Sequence, residues 1–147
     1  MADISEEFIA YLKTKSAVTD LIGSDTSARI WNQDGPPQSQ ARPSVCVVKT
    51  RHDNSGHLGG RSAFESADFV VTSYADSPAS RNALCSAIYN STSVSALAAA
   101  SDTMGSTPVS EVYCVTRQFD DDFLPTDASD KRLYAARSTY TIWFYTS

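Results

Sequence analysis

The chain has 147 residues, of which 41% are hydrophobic and 20% charged, with a formal net charge of −5. A chain of that length buries roughly 68–70% of its unfolded surface, enough to hold one core without a disulfide or a metal. The composition excludes the disordered and membrane-spanning classes, and the acidic balance argues against a dedicated nucleic-acid binder with a basic stripe.

The first helix starts at the amino end. Asp3 and Glu6 have the spacing of a capping box, and Ile4, Phe8, Tyr11 and Leu12 follow on one helical face, with Lys13 and Lys15 near its end. A short second helix is predicted over Ser16 to Ile22, burying Val18, Leu21 and Ile22, with Gly23 placed to take a left-handed stop. Arg29-Ile30-Trp31 reads as a short edge strand. Asp34 to Pro43 holds three prolines and a glycine, which forbids regular structure.

Ser44 to Arg51 is a β-branched run and reads as a strand. The polar, glycine-containing stretch from His52 to Gly60 reads as a long projecting hairpin tip, followed by a strand from Ser62 to Tyr74. In that strand Phe64, Val70 and Tyr74 share one parity, and Ala63, Ala67, Phe69 and Val71 share the other, so both faces are partly covered. Ser77-Pro78 starts a helix, with a side-chain cap and proline at the first helical position; Leu84, Ala87 and Ile88 are its buried stripe. The Ser/Ala-rich segment 91–106 reads as an insertion, either a helical extension or a loop.

Two further strands complete the chain. In Thr107 to Phe119, the residues Val109, Tyr113, Val115 and Phe119 fall on one side. The segment 120–131 reads as a second projecting hairpin. From Lys131 to Thr146, Tyr134, Ala136, Tyr140, Ile142 and Phe144 oppose Leu133, Arg137, Thr139, Thr141 and Trp143. The order predicts an α+β domain over residues 1–147: an antiparallel or mixed sheet of four to five strands with two to three helices on one face.

The acidic start, Met1 to Glu7, lacks the basic and apolar regions of a secretory signal, which predicts a protein made in a cytoplasm. Cys46, Cys85 and Cys114 are odd in number and far apart, as free thiols are. No catalytic constellation emerges. His52 and His57 flank Asp53, but the spacing matches no usual metal-ligand set. The cluster Asp120-Asp121-Asp122 with Asp127 and Asp130 lacks the order, the turn glycine and the bidentate Glu of a calcium loop. His57-Leu58-Gly59-Gly60-Arg61 lacks the glycine spacing and the Lys-Ser/Thr ending of a phosphate loop. These features predict neither an enzyme nor a cofactor or metal site.

The whole layout has a counterpart. Leu21-Ile22-Gly23, then Ala28-Arg29-Ile30-Trp31, a Pro-rich loop, Pro43-Ser44-Val45-Cys46-Val47-Val48, the Ser77-Pro78 helix, Phe119-Asp120-Asp121-Asp122, Arg132 to Ser138 and Ile142-Trp143-Phe144-Tyr145 follow in order. This resembles the tail-completion, or tail terminator, proteins of long-tailed bacteriophages and related phage-like particles. The resemblance covers nearly the entire chain apart from Ser91 to Met104.

It implies a homo-hexameric ring at the tail–neck junction of a virion, capping the head-proximal end of the tail tube and ending its polymerisation. The implied partners are the tail tube protein and a neck or head–tail connector protein, with DNA passing through the lumen without specific binding and no membrane contact. A ring needs heterologous contacts between unlike faces. The expected interface residues are Trp31, His52, His57, Arg61, Tyr113, Asp120, Asp121, Asp122, Arg137, Trp143 and Tyr145. Core packing is the plainer role for the aromatics among them. Another neck or head–tail joining component is the alternative within the same class; a small ligand-binding or enzymatic α+β domain is the alternative outside it.

Overall fold

The computed structural model describes residues 3–23, 27–33, 43–57, 60–92, 103–104, 107–123 and 133–145; for 54–57, 60–64, 103–104, 107–108, 110–111, 113, 120–123 and 133 the description is of the backbone. Among the described residues three helices, α1 (Ile4–Lys13), α2 (Ser16–Ile22) and α3 (Pro78–Thr92), accompany six strands. These are β1 (Ile30–Trp31), β2 (Ser44–His57), β3 (Gly60–Ala75), β4 (Thr103–Met104), β5 (Thr107–Phe123) and β6 (Leu133–Tyr145). They form one sheet in the order β1-β2-β3-β6-β5-β4, antiparallel except for the parallel β1–β2 pair. The architecture is the α+β sheet with helices on one face that the element order predicts.

The helices form where their caps and apolar stripes direct. The Asp3 carboxylate accepts from the Ser5 amide at 2.8 Å, and α1 turns Phe8 and Leu12 inward. Ser77 Oγ accepts from the Ser80 amide at 3.2 Å, and α3 buries Arg81, Leu84, Cys85, Ile88, Ser91 and Thr92 along one stripe. Helix α3 thus continues through Thr92; the rest of 91–106 lies outside the described residues except for the two-residue strand β4. Gly23 ends α2 at φ 94°, ψ 166°, a positive φ but not the left-handed helical stop expected. A Cβ there would also approach the Ser27 carbonyl oxygen to 3.0 Å.

The main core lies between the helices and one sheet face. Phe8, Leu12, Val18, Ile22, Leu84 and Ile88 meet Val45, Val47, Phe69, Val71, Tyr140, Ile142 and Phe144. Phe8 is its pivot, with ring centroids 5.3 Å from Phe69 and 6.0 Å from Tyr140. On the opposite face a small second cluster joins Cys46, Tyr74 and Ala135, with Trp31 packed against it. Cys46 and Cys85 are buried and Cys114 half-buried, and none of the three is in a disulfide.

Arg29 closes the seam between α2 and the sheet. Its Nε donates to the Pro43 carbonyl at 2.8 Å and its Nη2 to the Leu21 carbonyl at 3.0 Å. Its amide donates to Ile22 O at 2.8 Å, and its carbonyl accepts from the Val45 amide at 2.9 Å. One residue thereby satisfies open carbonyls at the end of α2 and starts the β1–β2 pairing.

Two strands extend past their expected bounds, and one expected alternation fails. In the hairpin expected over 52–60, strand pairing reaches close to the turn: β2 runs to His57 and β3 begins at Gly60, with Gly56 paired to Arg61 and His57 to Gly60. The neighbouring strand supplies the pairing that the glycines and polar residues argued against. Asp120 to Phe123 likewise continue β5, opposite Ala135 to Leu133 of β6; residues 124–132 lie outside the described residues. The assumed single alternation along β5 also fails. Its register shifts at Val109/Glu111, Cys114/Thr116 and Asp120/Phe123, so Val109 and Val112 enter the core while Val115 and Phe119 are exposed.

Candidate functional site

Among the described residues no helix packs on the second face of the sheet, and the surface of that face follows from register. Across the strands, Val48, Val70, Thr139 and Thr116 form one row, and Cys46, Thr72, Arg137 and Gln118 the next. Thr141 Oγ1 donates to Asp68 Oδ1 at 2.7 Å beside them. Val48, Val70 and Thr139 are half-buried and Arg137 is exposed. Val48, Thr50, Val70, Thr72 and Arg137 line a shallow groove of about 240 Å³. This face is rich in β-branched and hydroxyl side chains, suited to packing against another surface rather than to displaying charge.

The expected interface residues divide. Arg137 lies in that groove. Trp31 packs on the open-face cluster. Trp143 pairs with Ser66 and is half-buried, and Tyr145, 44% exposed, pairs with Phe64 at the end of β6. Their neighbours on β6, Phe144 and Ile142, belong to the core. His52 stands elsewhere, on the helix side. Its Nε2 lies 3.3 Å from the buried Glu65 carboxylate, its Nδ1 3.3 Å from Lys49 Nζ, and its ring stacks edge-on against Phe144 at 5.6 Å.

Lys49 in turn pairs with Asp3 at 2.8 Å. That ammonium, with the Ser5 hydroxyl, lowers the Asp3 carboxyl to about 2. His52 therefore belongs to a polar net joining the start of α1 to β2 and β3. For His57, Arg61, Tyr113, Asp120, Asp121 and Asp122 only the backbone is described: Tyr113 pairs with Thr141 and Asp120 with Ala135.

The two long strands that flank the central pair, β2 and β5, are irregular templates for strand addition. The central β3–β6 ladder runs from Phe64↔Tyr145 to Ala75↔Tyr134 without a shift. By contrast β2 shifts register twice against β3, and β5 three times against β6. Bulges of this kind twist an edge away from a partner strand.

A second such surface escaped sequence reasoning. Where α3 runs beside β5, the Arg117 guanidinium lies 4.3 Å from the Tyr89 ring centroid, and the Arg81 guanidinium 5.2 Å from that of Phe119. Arg81, Asn82, Ser86 and Phe119 line an open groove of about 480 Å³ between them. Val115, Phe119 and Tyr89 are 60%, 48% and 36% exposed, three of the four large apolar side chains on the described surface. The signal that could have found it is charge: among its fifteen residues α3 carries only Arg81.

Among the described residues no group of three or more His, Cys, Asp or Glu side chains is placed to hold a metal, and no helix is long and apolar enough to cross a membrane.

No family model matches the sequence, and no curated protein matches it. A comparison of folds does find a counterpart. A chain of the virion of a native gene transfer agent particle superposes with a TM-score of 0.63 at 13% sequence identity, over 97% of this chain and 94% of that one. At that identity the likeness is one of fold.

Proposed function

We propose that this chain is a structural virion protein, one that forms a ring at the head-proximal end of a phage-type tail tube. There it ends tube polymerisation and joins the tail to the neck. The observation that carries the reading is the end-to-end fold likeness to a gene transfer agent virion chain, covering 97% and 94% of the two chains. A match over both whole lengths speaks for the complete domain having been kept, not one motif borrowed.

The surfaces support the same reading. A ring of identical subunits needs two unlike, complementary faces on each copy. The chain offers a neutral β-branched sheet face with Arg137 and an aromatic seam along α3 and β5, on different sides of the sheet. Trp31, Trp143 and Tyr145 are the aromatic anchors nearest the open face. The acidic balance, −5 overall, suits a conduit that DNA traverses without being held.

The test is light scattering of the purified chain, alone and with tail tube protein, together with electron microscopy of tube lengths. A ring of about six subunits that fixes tube length is expected from closed cyclic symmetry. A strict monomer that leaves tube length unchanged would sink the proposal. Binding to a portal-side adaptor in place of tube protein would shift the assignment to a head–tail joining component.

A further inference from the structure

We infer that in the free chain, before a tail is met, two copies pack open sheet face to open sheet face about a two-fold axis, with Arg137 of each copy against Asp68 of the other. The inference stands apart from the ring reading. It names what occupies this face until a ring neighbour takes it.

The register of the central ladder carries it. Asp68 pairs with Thr141, Val70 with Thr139 and Thr72 with Arg137. An extended strand advances about 3.3 Å per residue, so Asp68 and Arg137 stand about 7 Å to either side of the Val70–Thr139 pair, on neighbouring strands. A two-fold axis lying between two sheets, and crossing the strands at that pair, turns one sheet over onto the other. It brings Arg137 of each copy over the Asp68–Thr141 end of its mate, twice, and sets Val70 and Thr139 against their own counterparts at the centre. Sheets packed face to face lie about 10 Å apart, a gap that an arginine from one side and a carboxylate from the other close between them.

Charge singles out the occupant. Arg137 is exposed and Asp68 half-buried. The Asp68 carboxylate accepts from Thr141 Oγ1 at 2.7 Å, and among the described residues neither Asp68 nor Arg137 takes part in an ion pair. Arg51, opposite Asp68 on β2, is held by Asp53 at 2.8 Å. Among the described residues the face thus presents one cation and one acid without an ionic partner, placed so that a copy of the same face answers both. The guanidinium then docks on a carboxylate that Thr141 already holds in place. Val48, Thr50, Val70 and Thr72 line the groove of about 240 Å³ that straddles Val70, and this β-branched surface leaves water as the faces close.

The experiment introduces Val70→Cys into the full chain, which is treated with a short bis-maleimide in the absence of tail tubes. Tryptic cleavage after Arg61 and Arg81 yields the peptide 62–81, which carries position 70. Each chain has one such peptide, so two of them joined through position 70 come from two chains. Only a two-fold contact brings that position to itself, whereas a heterologous contact sets it against another surface. The joined pair of 62–81 peptides is the expected product, together with a dimer in light scattering of the parent chain.

In parallel, Arg137→Asp weakens the dimer about tenfold or more, and adding Asp68→Arg to the same chain restores it, since the charges across the axis are then exchanged. Circular dichroism of each variant reports folding separately. A monomeric parent chain, or an oligomer that gives no 70-to-70 product or is indifferent to Arg137→Asp, overturns this contact and leaves the ring reading standing. Position 70 joined to tube protein once tubes are added, with no 70-to-70 product before, overturns it as well and gives the face to the tube. The ring reading fails separately, when neither rings nor altered tube lengths appear with tail tubes.

Discussion

The two faces of the sheet are built from the same strands yet follow different rules. On the helix side, Val45, Val47, Phe69, Val71, Tyr140, Ile142 and Phe144 are almost wholly removed from water by three helices. On the other side, one residue along each strand, Val48, Val70, Thr139 and Arg137 stand half-buried or exposed, and among the described residues the small Cys46–Tyr74–Ala135 cluster and Trp31 pack there. The first face holds the subunit together. The second carries the β-branched and hydroxyl side chains that the ring reading would use. A β-branched surface with the single cation Arg137 suits a heterologous contact that supplies a partner for that charge.

The sharpest way to break this contrast uses two adjacent residues. Phe69 is fully buried against Phe8, and Val70 points to the open face. Phe69→Ala is expected to cost about 4 kcal/mol and Val70→Ala about 1 kcal/mol in the isolated chain, read by urea denaturation. Equal costs would mean that the open face is already covered within one subunit.

Next in size is the tie between the helical layer and the sheet. Arg29→Met keeps the aliphatic stem but removes the donors to Leu21 O and Pro43 O, so both carbonyls lose a charge-assisted partner. A loss of about 2 kcal/mol is expected, seen as a lower melting temperature. An unchanged melting temperature would show that α2 is anchored by Val18 and Ile22 alone.

A smaller effect belongs to Asp3, which caps α1 and pairs with Lys49 of β2. Its folded carboxyl is held at about 2, below the ordinary value near 3.8. The stability it adds is therefore complete above about pH 4 and disappears as the pH falls towards 2. The group is 46% exposed, so solvent screening keeps its value near that of a helix cap, about 1 kcal/mol. Asp3→Asn should lower stability at pH 7 and flatten the acid limb of the stability curve between pH 4 and 2. An acid limb identical to that of the parent would place the acid sensitivity elsewhere.

Much of the helix-covered face could be read in the sequence, because caps, prolines and two periodicities all point the same way there. Asp3, Ser77-Pro78, Ile4–Phe8–Leu12 and Tyr140–Ile142–Phe144 each fell where local chemistry placed them. The motif that carried the family resemblance also has a physical account: Leu21-Ile22, Arg29 and Pro43 are joined by the Arg29 hydrogen bonds. What could not be read was anything set by register. Three shifts in β5 move Val115 and Phe119 out of the alternation predicted for them, and a shift is decided by the opposing strand β6, not by β5 itself. The same holds for His52 to His57, polar and glycine-containing, yet held as strand by β3. Hence Arg137 and Trp31 could be named as candidates from the sequence, whereas the α3–β5 seam could not.

The smallest expected effect on stability is the one that tests the open face most directly. Arg137 is exposed, pairs across the ladder with Thr72 and Gln118, and lines the shallow groove with Val48, Thr50 and Val70. Its guanidinium is the one cation in a row otherwise made of threonine, glutamine and cysteine. Arg137→Ser should change the unfolding free energy of the isolated chain by no more than about 0.5 kcal/mol, because an exposed side chain on an unpacked face has little to lose. If the face is an assembly surface, the same substitution lowers the fraction of chain recovered in rings or on tube ends, and raised salt lowers the parent's fraction in the same direction. A variant that is as stable and assembles as well as the parent removes Arg137 from the interface and leaves the α3–β5 seam as the surface on which assembly depends.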